Sequence, residues 1–267
     1  MNFLKLINTI RYLRQKQVFY RLYYLARKKF GNTAYNKPLI KEIEPLKWND
    51  PVFFADSFFL EKTFCFLNVS HQFQGQIDWN YSGFGKLWTY NLNYFDFLNQ
   101  KSITTKKGLD LIKDYMETKK QLQDGLEPYP ISLRGINWIK FLSRNQIKDH
   151  AINETLYKHY QRLYHNLEYH LLGNHLLENG FSLFFGAYYF KDEQLYQKVE
   201  SILKTELEEQ VLNDGAHFEL SPMYHQILLH RLLDCINLAQ SNPWRSDRLL
   251  PLLKEKVVKM LSWLQTA

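Results

Sequence analysis

The feature that most constrains this chain is a run of helical-period segments from residue 103 almost to the C-terminus. Apolar residues recur at three- and four-residue spacing near 104–120, 130–145, 153–171, 174–190, 192–211, 222–240 and 247–265, with only short polar or glycine breaks between them. Boundary chemistry agrees. Ser221-Pro222 puts a capping residue before a proline at the first helical position, and Asn213-Asp214-Gly215 closes the preceding helix. Successive helices joined by short connections pack as antiparallel hairpins, which leaves a bundle, a solenoid or an α/α ring. No repeat of fixed period is visible, which weighs against a repeat array. The expected fold class is all-α, an α/α toroid of antiparallel helical hairpins with irregular loops.

Two regions precede that run, and the reading divides the chain at residues 1–50 and 51–267. Residues 3–30 read as a basic amphipathic helix, with Tyr20, Tyr23, Tyr24 and Phe30 among Arg21, Arg27, Lys28 and Lys29. A peripheral helix packed on the domain is preferred to a membrane-surface or nucleic-acid arm. A proline-punctuated connector follows, through Pro38, Pro45 and Pro51. Between about 60 and 95 lies a short irregular or strand-like segment rich in aromatics. Gly83 and Gly85 work against a regular helix there, so Trp79, Tyr81 and Trp88 are expected on a shaped loop forming one wall of a groove.

A hydrophobic fraction of 45% excludes a disordered tail, and 34 Lys+Arg against 27 Asp+Glu leave a net +7. That excess suits an anionic ligand without demanding nucleic acid, and none is expected as a partner. Aromatics make up 16% of the chain and many stand in polar stretches, where their faces can stack on sugar rings. Cys65 and Cys235 sit in apolar sequence without CxxC spacing and read as buried thiols. The apolar patch of Met1–Ile7 is followed by Arg11, Arg14 and Lys16, so neither a signal-peptide core nor a membrane-spanning segment is visible.

Three polar segments interrupt the helical pattern where chemistry could reside. In Leu172-Gly173-Asn174-His175-Leu176-Leu177-Glu178, Asn174 and Glu178 share a helical face with His175 one step round, although an ordinary N-cap also explains Asn174. His170 lies five residues before His175, off its face, so no metal site is expected, nor any cofactor. In His217-Phe218-Glu219-Leu220-Ser221-Pro222-Met223-Tyr224-His225, Tyr224 occupies a first helical turn, where the helix dipole favours phenolate; the alternative is a packed tyrosine with its hydroxyl satisfied. In the third, Arg134 falls one turn inside a helix, placed to clamp a carboxylate or sulfate or to pair with a structural acid.

Together with Trp88-Thr89-Tyr90-Asn91-Leu92-Asn93-Tyr94-Phe95-Asp96, these segments in this order resemble the N-terminal part of the heparinase II/III family of polysaccharide lyases, from about residue 60 to 267. The resemblance implies an incomplete α/α toroid, a β-sandwich following it in family members, and a groove between the two. No strand-rich half follows in this sequence, so the expectation is the helical half alone, with self-association through the face where a sandwich would dock. The implied reaction is β-elimination on an acidic, uronic acid-containing polysaccharide of heparan, alginate-like or bacterial surface type. Asn174 would neutralise the substrate carboxylate, His175 would assist it, and Tyr224 would carry the proton. Arg134, Trp79, Trp88 and Tyr94 would place substrate, with Glu178 and His225 in support. Two alternatives remain: a toroidal glycoside hydrolase using carboxylates from Asp78, Glu178 and Glu219, or a non-catalytic glycan-binding or assembly component.

Overall fold

The computed structural model describes residues 11–30, 35, 37–48, 52–118 and 122–266, apart from the side chains of residues 246 and 247. The beginning of the expected 3–30 helix lies outside these residues, as does Pro51. Helix α1 spans Gln15–Phe30. A small antiparallel sheet follows in the order β1 (Phe58–Phe59), β2 (Thr63–Phe66) and β3 (Val69–Gln72), with Phe58 opposite Phe64 and Phe66 opposite Val69. The remaining helices are α2 (Lys86–Tyr94), α3 (Thr105–Thr118), α4 (Pro128–Arg144), α5 (His150–His165), α6 (Gly173–Phe190), α7 (Glu193–Gln210), α8 (Pro222–Ser241) and α9 (Ser246–Thr266).

The packing order identifies the architecture. Helix α4 lies against α2 and α6, and α6 lies against α8; in a second layer α5 lies against α3, and α9 against α7. Each even-numbered helix from α4 on also packs on the odd-numbered one that follows it. The result is an inner layer α2-α4-α6-α8 inside an outer layer α3-α5-α7-α9, the two-layered arrangement of an incomplete α/α toroid. Burial follows from it. Every residue from Pro130 to Ser143 on α4 and from Leu176 to Phe190 on α6 is buried, because an inner helix has neighbours on nearly all sides.

Small residues set the spacing of the layers. Tyr160 of α5 is wedged against Gly135 of α4 and Gly186 of α6, where an added Cβ would come within 2.7 and 2.5 Å of its side chain. The inner layer is also tied by charge. Lys140 Nζ of α4 meets Asp234 Oδ2 of α8 at 2.7 Å, and Arg231 of α8 reaches Glu178 Oε1 of α6 at 2.8 Å through Nε and Asp234 Oδ2 at 3.5 Å through Nη1. All four side chains are nearly or wholly withdrawn from water.

The aromatic segment departs from expectation. Residues 86–94 form a helix, and Gly85 stands just before it with φ 85°. Its glycine supplies a backbone turn into the helix. Trp79 and Trp88 are each 1% exposed. Trp79 Nε1 donates to Asp114 Oδ1 at 2.7 Å and Trp88 Nε1 to the Val69 carbonyl at 3.0 Å. Both indoles, placed on a groove wall by the sequence reading, are core residues joining the sheet to α2 and α3. Helix α5 ends at His165 rather than near 171, leaving 166–172 as a loop. The connector also packs inward, since Leu39, Ile43, Leu46 and Trp48 are buried in the main core. Among the described residues, no helix is long and apolar enough to cross a membrane.

Candidate active site

The N-terminal ends of three inner helices open onto one groove of about 1230 Å³. Glu127 to Pro130 at the start of α4, Glu168 to His175 at the start of α6, and Phe218 to Tyr224 at the start of α8 contribute to its walls. Tyr90 and Tyr94 of α2 supply another side, and Arg14 and Gln17 of the arm a further edge. The positive ends of three helix dipoles therefore gather on one concavity, a contribution that favours anions.

The chain enters α6 under local strain. Leu172 has φ 62° and ψ −160°, followed by Gly173 at φ 56°. Non-glycine residues rarely adopt such a conformation, at a cost of about 1–3 kcal/mol. Asn174 then falls inside the first turn rather than at the cap, so the capping explanation fails. Its Nδ2 donates instead across the groove to Glu219 Oε1 at 2.8 Å. His175 Nδ1 lies 3.2 Å from Glu168 Oε1, and its ring is 4.9 Å from that of Tyr129. The hydrogen bond to Glu168 raises the His175 pKa against the opposing effect of burial. Glu168 is itself held by Asn179, which donates from Nδ2 to Oε2 at 2.9 Å.

Tyr224 stands two residues inside α8, after the Ser221-Pro222 start read from the sequence. Ser221 makes no side-chain cap; its carbonyl accepts from His225 N at 2.9 Å. Tyr224 is 38% exposed. The groove's other three tyrosines are held as phenols. Burial pushes Tyr94 and Tyr129 upward, and burial together with a hydrogen bond to Glu127 takes Tyr90 to about 12. Asn174 and Tyr224 also line a small cavity of about 40 Å³ beneath the groove, whose floor includes Glu178 and Arg231.

Of the expected site residues, Asn174, His175, Tyr224 and Tyr94 line the groove. Arg134 does not. It is fully buried, and its Nη1 donates to the carbonyls of Asn93 and Gly125, each at 3.0 Å, so it secures the α2–α4 junction instead of clamping substrate. His225 is also buried, with Nε2 3.1 Å from the Met260 carbonyl and its ring on Trp263; it joins α8 to α9. Glu178 lies below the groove in its ion pair with Arg231, a support and not a contact surface. Asp78 is absent from the groove lining, so the carboxylates considered for hydrolysis are not brought together. Of those three only Glu219 lines the groove, together with Glu127, Glu168 and Glu209, and each of the four has a partner: Glu127 with Lys86, Glu168 with His175, Glu209 with Arg14 and Glu219 with Asn174. Among the described residues, no group of three His, Cys, Asp or Glu is arranged to hold a metal ion.

Sequence reasoning missed Glu168 and Tyr129. Glu168 was absorbed into an overlong helix. Tyr129 had a usable signal, since Pro128-Tyr129-Pro130 marks a helix start with proline at its first position.

The family described as Heparinase II/III N-terminus matches residues 131–265, just over half of the chain and inclusive of the starts of α6 and α8. The heparin-sulfate lyase of Bacteroides stercoris is 28% identical over 137 residues, which cover 49% of this chain and 19% of that protein. The match thus spans about a fifth of that relative's length. No solved structure matches.

Proposed function

Because the chain belongs to the heparinase II/III family, as the match over half its length shows, we propose that its groove serves β-elimination on a uronic acid-containing polysaccharide. In that reaction the C5 proton of a uronate leaves, the electron pair of the C5–H bond forms a C4–C5 double bond, and the C4–O bond breaks. The leaving oxygen takes a proton. The difficulty is electronic, because deprotonation at C5 puts further negative charge beside a carboxylate. Donors aimed at that carboxylate relieve it, and one such donor is worth about 10²–10³ in turnover.

The observation that carries this reading is the placing of Asn174, His175 and Tyr224 on two adjacent helix starts facing one groove. Asn174 Nδ2 already donates to a carboxylate, that of Glu219; the uronate takes that position as Glu219 turns aside. His175, with Nδ1 on Glu168 and its pKa raised, offers Nε2 as a second donor when protonated. Tyr224 removes the C5 proton or returns one to the leaving oxygen. Tyr94 and Tyr129, whose protons are held by burial, act as donors to hydroxyls.

Purified protein should be offered heparan sulfate, alginate and a neutral glucan, with products followed by the ultraviolet absorbance of an unsaturated uronate. Absorbance on an acidic polymer and none on the glucan is expected. New reducing ends without that absorbance would turn the assignment to hydrolysis, and tight binding without either product would make the chain a glycan-binding component.

A further inference from the structure

Helix α1 has no buried residue, yet polar contacts fix it to the 166–172 loop and the end of α7. Arg14 forms a two-pronged ion pair with Glu209 at 2.6 and 2.8 Å. Gln17 Nε2 donates to the Leu171 carbonyl at 3.0 Å, and the Tyr24 hydroxyl to that of Leu167 at 2.5 Å. Tyr20 stacks on Tyr169 with centroids 4.5 Å apart, and Arg27 bonds Asn166 and the His165 carbonyl. These contacts consume one face of the helix.

The adjoining stripe is different. Arg21, Leu25 and Lys28 follow one another at four- and three-residue spacing, on one side of a helix. With Tyr24, Asn166 and His170 they line a second concavity of about 460 Å³. Arg21 and Lys28 are exposed, and among the described residues no carboxylate lines this concavity. Among the described residues, the buried His170 Nδ1 has no hydrogen-bond partner. Pro128 and His170 line both this concavity and the main groove, so the two adjoin. From Gln15 to Lys28 the helix rises about 20 Å at 1.5 Å per residue, a track for an extended chain rather than one sugar.

We infer that Arg21 and Lys28, on the concavity that His170 also lines, form an anion subsite beyond the reaction centre, which takes a carboxylate or sulfate of a distal sugar unit on the same polysaccharide. This rests on the proposed polysaccharide reading. It assigns the arm a direct part in substrate binding, with the cations not used for docking the helix reserved for ligand. A chain too short to reach from the groove to this concavity gains nothing from it.

The test is binding of heparan sulfate oligosaccharides, a disaccharide and an octasaccharide, to the protein and to its Arg21→Gln/Lys28→Gln variant, followed by calorimetry. Both substituted residues are exposed and, among the described residues, make no hydrogen bond or ion pair that docks the helix, so folding should be unaffected, as circular dichroism would verify. Removal of two exposed ionic contacts predicts about a three- to tenfold loss of octasaccharide affinity, with disaccharide affinity unchanged. Equal affinities of wild type and variant for the octasaccharide overturn the subsite, as does an equal loss for both lengths. A single-stranded oligonucleotide of matched charge that binds as tightly as the octasaccharide also overturns it. No binding of either saccharide to wild type would sink the polysaccharide reading together with the subsite, whereas length-dependent binding without elimination would leave the subsite standing and reject the lyase chemistry.

Discussion

The starts of the inner helices and their middles use the same kinds of side chain to opposite ends. In the middle, Lys140, Glu178, Arg231 and Asp234 are buried and spent on each other, linking α4, α6 and α8. At the starts, Asn174, His175 and Tyr224 keep contact with solvent and face an open groove. Glu178 and Asn174 are one helical turn apart, yet one belongs to the frame and the other lines the groove. A polar residue interrupting a helical pattern is thus no evidence of chemistry by itself; its depth along the helix decides. The frame also explains how the site is held, because three helices pinned by charge below the groove cannot slide relative to one another without separating buried ions.

The largest effect that could break this contrast lies in the frame. Arg231→Met leaves Glu178 buried without its cation, and a loss of about 3–5 kcal/mol in urea unfolding is expected. Adding Glu178→Leu should recover much of that, since removing both charges also removes the desolvation cost. A drop below about 1 kcal/mol for the single variant would show the network to be incidental. Trp88→Ala sharpens the same division on the aromatic side. It should cost about 3–5 kcal/mol of stability as a core truncation, and intact stability with weakened saccharide binding would restore Trp88 to a groove wall.

A smaller effect separates the rim. The His175 pKa is raised in the folded state by the hydrogen bond its imidazole donates to Glu168, above the unfolded value of about 6.5. The protonated form is therefore favoured by folding, and its stabilisation is fully present below pH of about 6.5, then lost as pH rises through the folded pKa. His175 is about half exposed, so solvent screening keeps the gain under about 1 kcal/mol. Nuclear magnetic resonance titration of the imidazole should show the raised pKa in wild type and its fall in Glu168→Gln. An unmoved titration would remove Glu168 from the site.

Much of this architecture was legible from hydrophobic period alone. The helices after residue 103 lie close to their expected ranges, and Ser221-Pro222 marked the start of α8. The aromatic segment misled because a glycine before a helix looks, in sequence, like a glycine that prevents one. Trp79 and Trp88 carry the same letters whether they stack on a sugar or fill a core, and only the approach of the sheet to α2 and α3 buries them. Arg134 and His225 are similar cases, since the backbone carbonyls that engage them come from distant segments. Helix-start chemistry placed Asn174, His175 and Tyr224 where side chains reach a surface, and only the resemblance to the family singled them out; all three line the groove. Glu168 was missed, because a loop inside an apolar run leaves little periodic trace.

The central claim, that Tyr224 carries the proton in an elimination reaction, is tested most directly by the kcat of Tyr224→Phe, read as unsaturated-uronate absorbance on the acidic polymer that wild type cleaves. The Tyr224 side chain is partly exposed, so stability should stay within about 0.5 kcal/mol of wild type, while kcat falls by about 10²–10⁴. Near-normal production of the unsaturated end by a folded Tyr224→Phe protein would contradict the account.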